Sequence, residues 1–566
     1  MTVGSLQLAA LSRGYAAGEF TPADVVAEVY RRIRARGDDG VWITLRPIEE
    51  VLAAEIPRGP LYGVPFAVKD NIDVAGLPTT AACPGFAYVP DATAPLVERL
   101  LAAGALLIGK TNLDQFATGL SGTRSPYGAC ESPLVPGLIS GGSSSGSAVA
   151  VSAGLVSFAI GTDTAGSGRV PAAMTGVVGL KPSRGLVSTT GVVPACASLD
   201  CASVFALSVP DAAAVTGVMA GSGLPAEGPG VRLRVGVPDF FGDEGARAGF
   251  ADAVAGLAAL GHEIVAVGLA PFLAAGRLLY EGPWLAERLA GIGDFVAKHP
   301  AEIHPVTRDV LAGGWDVTGV EVFRGLRRLA ELTEETAATW AEIDVLAVPS
   351  VPTTFTLAEM AADPIRHNST LGYYTTFANL LDLAAVAVPA GMTATGRPHG
   401  ITLLGPSGSD ALLAGLARAF HQAAGGMTGA TRQPLEGTAP EVLLAVVGAH
   451  RTGQPLHPQL AALGARCHEV TATARAYRLY DLGDRPGMMR VPDGESIEVE
   501  LHHLAPEALG RLLVQIPAPL GLGTVELLDG RLVHGFLCES YAAADAKDIT
   551  EFGSWPDYLL RIRPAP

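Results

Sequence analysis

The chain has 566 residues, 49% apolar and 17% charged, with a formal net charge of −17; it is globular in composition and too long for one ordinary core, so two or more domains are predicted. The acidic balance excludes a nucleic-acid footprint, and a small anionic substrate would need a local arginine to hold it. The longest apolar runs, such as Ala148 to Ile160, are interrupted and too short to span a bilayer, and the opening MTVGSLQLAALSRGYAAGEF lacks the basic and apolar regions of a secretion signal.

In chain order, Thr21-Pro22-Ala23-Asp24 combines an N-cap residue, a first-position proline and an early acid. Val25, Val26, Val29 and Ile33 follow at helical spacing, which predicts a helix. From about 60 to 210, short apolar runs are divided by Gly and Pro, among them Val64 to Val68, Leu106 to Ile108 and Val177 to Leu180. These predict buried strands and helices of an α/β layer structure. From about 245 to 342 the chain reads as mostly helical. Strand-like runs return at Asp344 to Pro349, Leu383 to Pro389 and Gly400 to Leu404, and DALLAGLARAFHQAA predicts a closing helix. Strands so far apart, with helices between, predict one large mixed sheet flanked by helices.

Residues 425–440 are polar, turn-rich and aperiodic, and are expected to link a first domain, 1–424, to a second, 441–566. In the second, Ile497 to Leu501 alternates in polarity and Asp529-Gly530 between two apolar runs predicts a hairpin, so a small α+β domain is expected. Cys83, Cys130, Cys196, Cys201, Cys467 and Cys538 form no CxxC pair and have no zinc-type spacing. They are read as buried or half-buried thiols of a reducing compartment, with no metal expected.

The most informative segment is Ser140 to Pro171, SGGSSSGSAVAVSAGLVSFAIGTDTAGSGRVP. Alone, GGSSSGS reads as a flexible linker. Its neighbours argue otherwise: a small, apolar run leads straight to a second Gly-Ser turn at Gly161 to Ser167. Two such turns bring backbone N–H groups and hydroxyls together, as an oxyanion hole requires; no phosphate-loop pattern supports the rival use. No histidine precedes His262, so a serine acting here needs another base. Five of the 39 basic residues are lysines, and Lys69 ends the apolar run Gly63 to Val68. Desolvation there would lower its pKa and let it act as a neutral base, against the commoner fate of a lysine as a snorkelled surface charge.

The Ser140–Pro171 stretch resembles the amidase signature, and GVPFAVKDNID resembles that family's lysine segment, across roughly residues 20–425. The resemblance implies the amidase signature fold and a Ser–cis-Ser–Lys triad without cofactor. Carried over by position, Lys69 is the base, Ser143 the cis-serine relay and Ser167 the nucleophile. The N–H groups of Thr164, Ala165, Gly166 and Ser167 would bind the oxyanion. Most members have two glycines before the nucleophile, whereas this chain has Ala165-Gly166. That variant, with Leu120 to Gly128 including Gly122, resembles the allophanate hydrolase branch, which hydrolyses allophanate (urea-1-carboxylate) to ammonia and carbon dioxide after a biotin-dependent urea carboxylase.

A further match, Tyr280 to Arg288 (YEGPWLAER), implies that Tyr280 and Arg288 hold the substrate. Their spacing predicts one helix face, two turns apart. Without the resemblance, Arg288 would be read as pairing with Glu281 or Glu287 on a solvated helix. Arg169 is expected to support the nucleophile turn; Arg308 has no assigned part. Val446 to Leu456, Pro517 to Gly523 and Gly535 to Glu539 resemble the C-terminal domain of allophanate hydrolases. This implies a fold like γ-glutamyl cyclotransferase and, in some members, decarboxylation of N-carboxycarbamate, with His450 the residue expected to act; a scaffold role is the other reading. The branch also implies a cytoplasmic homodimer. The competing functional readings are a hydrolase of other small ureido or malonamide-like anions, and an amidotransferase subunit.

Overall fold

Eleven strands form one mixed sheet in a computed structural model that describes residues 3–226, 231–436, 442–463, 465–504 and 506–562. They are β1 (Trp42–Leu45), β2 (Pro65–Lys69), β3 (Leu106–Thr111), β4 (Phe158–Asp163), β5 (Val178–Lys181), β6 (Cys201–Ala206), β7 (Arg234–Pro238), β8 (Glu263–Val267), β9 (Val345–Pro349), β10 (Leu383–Met392) and β11 (Pro398–Pro406). Their order across the sheet is β1-β3-β2-β4-β6-β5-β10-β11-β9-β7-β8. β2 runs parallel to both β3 and β4, and every residue of these three strands is buried. Helices covering both faces explain why their sequences read as short continuous apolar runs.

The expected N-terminal helix spans Pro22–Arg36. Thr21 Oγ1 accepts from the Asp24 N–H at 3.3 Å and Asp24 Oδ2 accepts from the Thr21 N–H at 2.8 Å, a reciprocal cap. β8 departs from the helical expectation for 245–342. It is a short edge strand, half-exposed along its length, paired only through β7, and too brief to show against its helical surroundings.

The chain divides into two units, Met1–Leu435 and Glu436–Pro566. Residues up to Leu435, expected within the linker, pack on the first unit: the Gly429 N–H reaches the Gly176 carbonyl at 2.7 Å and the Ala430 N–H reaches Ser152 Oγ at 3.1 Å. Residues 437–440 of that stretch lie outside the described residues.

The second unit contains β12 (Val442–Val446), β13 (Arg466–Ala472), β14 (Tyr477–Asp481), β15 (Pro486–Arg490), β16 (Glu498–Leu504), β17 (Leu520–Glu526), β18 (Leu532–Cys538) and β19 (Lys547–Asp548). Five form the sheet β13-β16-β12-β18-β17 and three the sheet β15-β14-β19. Asp529-Gly530 lies in the hairpin joining β17 to β18, with Gly530 at φ +85°. Among the described residues, no helix is long and apolar enough to cross a membrane. All six cysteines are free thiols; five are buried, while Cys467, expected to be at least half-buried, is exposed on β13.

Candidate active site

The carboxyl ends of β2 and β4 lie side by side and deliver Lys69 and Thr162 to one point. Lys69 Nζ is 2.8 Å from Ser143 Oγ and 2.7 Å from Thr162 Oγ1, with all three residues buried. Burial pushes the Lys69 ammonium down to about 7, against the raising pull of Asp114, Asp200 and Asp163. The Gly142–Ser143 peptide is cis. Ser144 ties the serine loop to β4, its Oγ donating to the Thr162 carbonyl at 3.1 Å and accepting from the Thr162 N–H at 3.3 Å. The loop then enters the helix Ser145–Ser152, every residue of which is buried, so this serine-rich segment is an interior element rather than a linker.

Ser167 follows β4 in a turn clamped by a buried ion pair. Arg169 Nε donates to Asp163 Oδ2 at 2.9 Å, and Arg169 Nη2 to Asp163 Oδ1 at 3.0 Å. Burial raises the Asp163 carboxyl, but the guanidinium prevails and holds it below the ordinary range. Arg169 therefore takes the supporting position expected of it. Asp163 also accepts the N–H groups of Gly166 and Gly168, at 2.9 and 3.0 Å. This corrects one expectation: the Gly166 donor is already committed to a carboxylate. Among the described residues, the N–H groups of Thr164, Ala165 and Ser167 meet no acceptor, so the turn presents three free donors. Gly166 is needed for shape: its φ is +125°, and a Cβ would lie 2.3 Å from Thr375 Oγ1.

Tyr280 and Arg288 occupy two helices, Ala270–Glu281 and Trp284–Lys298, not one. Gly282 is extended and Pro283 cannot continue the first helix, so the continuous face predicted from the spacing does not exist. The break still brings the two together, with the guanidinium carbon 5.7 Å from the centre of the Tyr280 ring. Arg288 is 2% exposed, and Nη1 donates to Thr118 Oγ1 at 3.2 Å. Among the described residues it has no carboxylate partner within 4 Å, and its Nε is unpaired. Glu287, a partner in the competing reading, instead accepts from Ser198 N–H and Oγ at 2.7 and 2.8 Å. A buried cation left unpaired by the protein is suited to an anionic ligand.

Tyr280 lines a cavity of about 300 Å³ with Leu120, Asn368 and Gly372. Gly122, at φ +74°, donates its N–H to Asp114 Oδ2 at 3.0 Å. Arg308 lies on the surface, its Nη1 reaching the Pro300 carbonyl at 3.4 Å. In the second unit, His450 lines a separate cavity of about 70 Å³.

Residues 45–414 match the Amidase family, and residues 442–560 match the family described as allophanate hydrolase C-terminal domain. The chain belongs to the amidase family. Among relatives of this amidase, the urea amidolyase of Saccharomyces cerevisiae (strain ATCC 204508 / S288c) is 40% identical over 575 residues, covering 93% of this chain and 31% of the relative. The chain thus spans about a third of the length of the urea amidolyases it matches. The structure of Kluyveromyces lactis allophanate hydrolase is 37% identical with a TM-score of 0.72, covering 98% of this chain and 99% of that one. A glutamyl-tRNA(Gln) amidotransferase subunit from Synechococcus sp. (strain RCC307) is 34% identical, covering 69% of this amidase and 89% of the relative.

Sequence reasoning missed Thr162, Asp163 and Thr118. Thr162 was findable, since it stands beside Lys69 at the carboxyl end of a parallel strand, where α/β sheets place their sites. Thr118 carried no such signal. Its loop passes through Phe116 and Ala117, both at φ +52°, a conformation no local residue type announces.

Proposed function

We propose that this amidase hydrolyses allophanate to ammonia and carbon dioxide through an acyl-enzyme on Ser167. The observation that carries the reading is the buried, unpaired Arg288 guanidinium over Tyr280, in the unit that also holds a lysine able to be neutral near pH 7. Neutral Lys69 takes the proton of Ser143, which takes that of Ser167, and Ser167 Oγ attacks the amide carbonyl. The N–H groups of Thr164, Ala165 and Ser167 hold the oxyanion, at about 3 kcal/mol per donor. As the C–N bond breaks, its electron pair stays on nitrogen, the protons return through Ser143, and ammonia leaves. Water then cleaves the ester and releases N-carboxycarbamate. Arg288 pairs with the substrate carboxylate and supplies selectivity for an anion.

The His450 cavity favours a second step in the same chain, decarboxylation of the N-carboxycarbamate. We place the enzyme in the cytoplasm as a homodimer, with a biotin-dependent urea carboxylase supplying allophanate; the greater length of the urea amidolyases supports coupling to another activity on urea.

The test is ammonia release from allophanate, biuret, malonamate and glutamine. Allophanate is expected to be the best substrate, and Ser167→Ala to abolish release. Activity on glutamine but not allophanate would overturn the substrate assignment, and full activity of the Ser167→Ala variant would overturn the mechanism.

A further inference from the structure

His450 stands in the loop after β12, its ring stacked on Phe536 of β18 with centroids 5.1 Å apart and planes at 15°. Its Nε2 lies 2.9 Å from Gln459 Oε1 on the helix His457–Ala462. Gln459 Nε2 lies 2.5 Å from Gln515 Oε1, and Gln515 Nε2 lies 3.0 Å from the backbone carbonyl of Arg511. The last contact sets the direction of the chain. A backbone carbonyl can only accept, so the amide nitrogen of Gln515 must face it. The Gln515 oxygen then faces Gln459 and requires its nitrogen, which turns the Gln459 oxygen toward His450. That oxygen in turn requires a proton on Nε2.

We propose that the Gln459–Gln515 relay holds neutral His450 in its Nε2–H form and so makes Nδ1 the nitrogen that works on a ligand in this cavity. Gln459 is a positioning residue. Among the described residues Nδ1 has no hydrogen-bond partner. Burial lowers the His450 pKa, the Gln459 bond opposes this and His502 adds to it; the net direction favours the neutral ring, whose lone pair the Gln459 contact leaves on Nδ1.

The chemical consequence rests on the decarboxylation reading. A bound dianion favours protonation of Nδ1 from solvent. As a C–N bond of N-carboxycarbamate breaks, its electron pair stays on nitrogen, carbon dioxide leaves, and Nδ1–H supplies the proton that completes carbamate.

The experiment is nitrogen-15 NMR of the imidazole in the full-length chain, His450 being assigned by its loss in His450→Ala. Wild type is expected to show a protonated Nε2 and an unprotonated Nδ1 at neutral pH. Gln459→Glu, which keeps an acceptor, should retain this pattern, and Gln459→Leu should relax to mixed tautomers. A proton on Nδ1 in wild type, or a Gln459→Leu spectrum identical to wild type, would overturn the proposal. In parallel, Gln459→Leu should slow carbon dioxide release at least tenfold, with ammonia release from Ser167 chemistry unchanged and Gln459→Glu largely rescued. If His450→Ala releases carbon dioxide at the wild-type rate, the decarboxylation reading fails while the tautomer assignment stands on its spectrum.

Discussion

In the proposed mechanism Lys69 must lose its proton before it can accept one, so its protonation state would set the rate. With its pKa pushed down to about 7, kcat/KM should fall about tenfold per unit of pH below that value and level off above it. A pH–rate profile without an acid limb near neutrality would contradict the role. The same shift is a stability statement. Between about 7 and the ordinary lysine value of 10.5 the unfolded chain holds a proton that the folded chain does not, so the Lys69 contribution to stability rises with pH across that window. In urea titrations, the stability of wild type relative to Lys69→Met should therefore increase from pH 7 to pH 10. Arg288 makes a separate, substrate-dependent prediction. Removing a charge-assisted contact costs about 1.5–3 kcal/mol, so Arg288→Ala should lose roughly 10- to 100-fold in kcat/KM on allophanate and malonamate, and far less on neutral amides. Equal losses on both classes would make Arg288 a packing residue.

At the scale of elements, the turn that carries Ser167 depends on the residue that ends β4. Asp163 receives two guanidinium bonds and two backbone N–H bonds while fully buried, and Asn379 Nδ2 donates to its carbonyl at 2.7 Å. Breaking a buried pair by neutralising one partner costs about 3–5 kcal/mol. Asp163→Asn is therefore expected to lower the urea midpoint of the first unit and to lower kcat more than it raises KM, because the donors of Thr164, Ala165 and Ser167 lose their shared anchor. This network also marks the limit of what the sequence reveals. The choice of Ser143 and Ser167 rested on the family resemblance, while Lys69 and the two Gly-Ser turns were legible as candidates from the scarcity of lysine and the absence of an early histidine. Asp163 was not, because its partners include Asn379, far along the chain on an element that periodicity does not connect to β4. For Tyr280 and Arg288, singled out by the family resemblance, the form was not legible: the spacing implied one helix, and Gly282-Pro283 made two. Ala165 lies in an apolar cluster with Leu279 and Trp284, one from each of those helices. Its methyl group links the turn that carries Ser167 to the helices that carry Tyr280 and Arg288, a connection made only by packing.

Across the whole molecule, each unit has its own core. The second buries Tyr477, Leu479, Met488, Ile497 and Val499 in one cluster, with Trp555 and Tyr558 from its last helix. None of the residues around Ser167 belongs to it, and the residues that position Lys69, Ser143 and Arg288 all lie within the first unit. The large mixed sheet was foreseeable from strands scattered between helices, whereas its extension by β7 and β8 was not, because half-exposed edge strands carry a weak apolar signal. Separate cores imply separable stability. Leu479→Ala removes a fully buried side chain and should cost the second unit about 2–5 kcal/mol. Calorimetry should then show one transition shifted to lower temperature and the other in place. At temperatures between the two, ammonia release from allophanate should persist while the carbon dioxide release proposed to depend on His450 is lost. A single transition moving as a whole, or loss of both activities together, would mean that the two units unfold as one and that the serine site depends on the second core for its integrity.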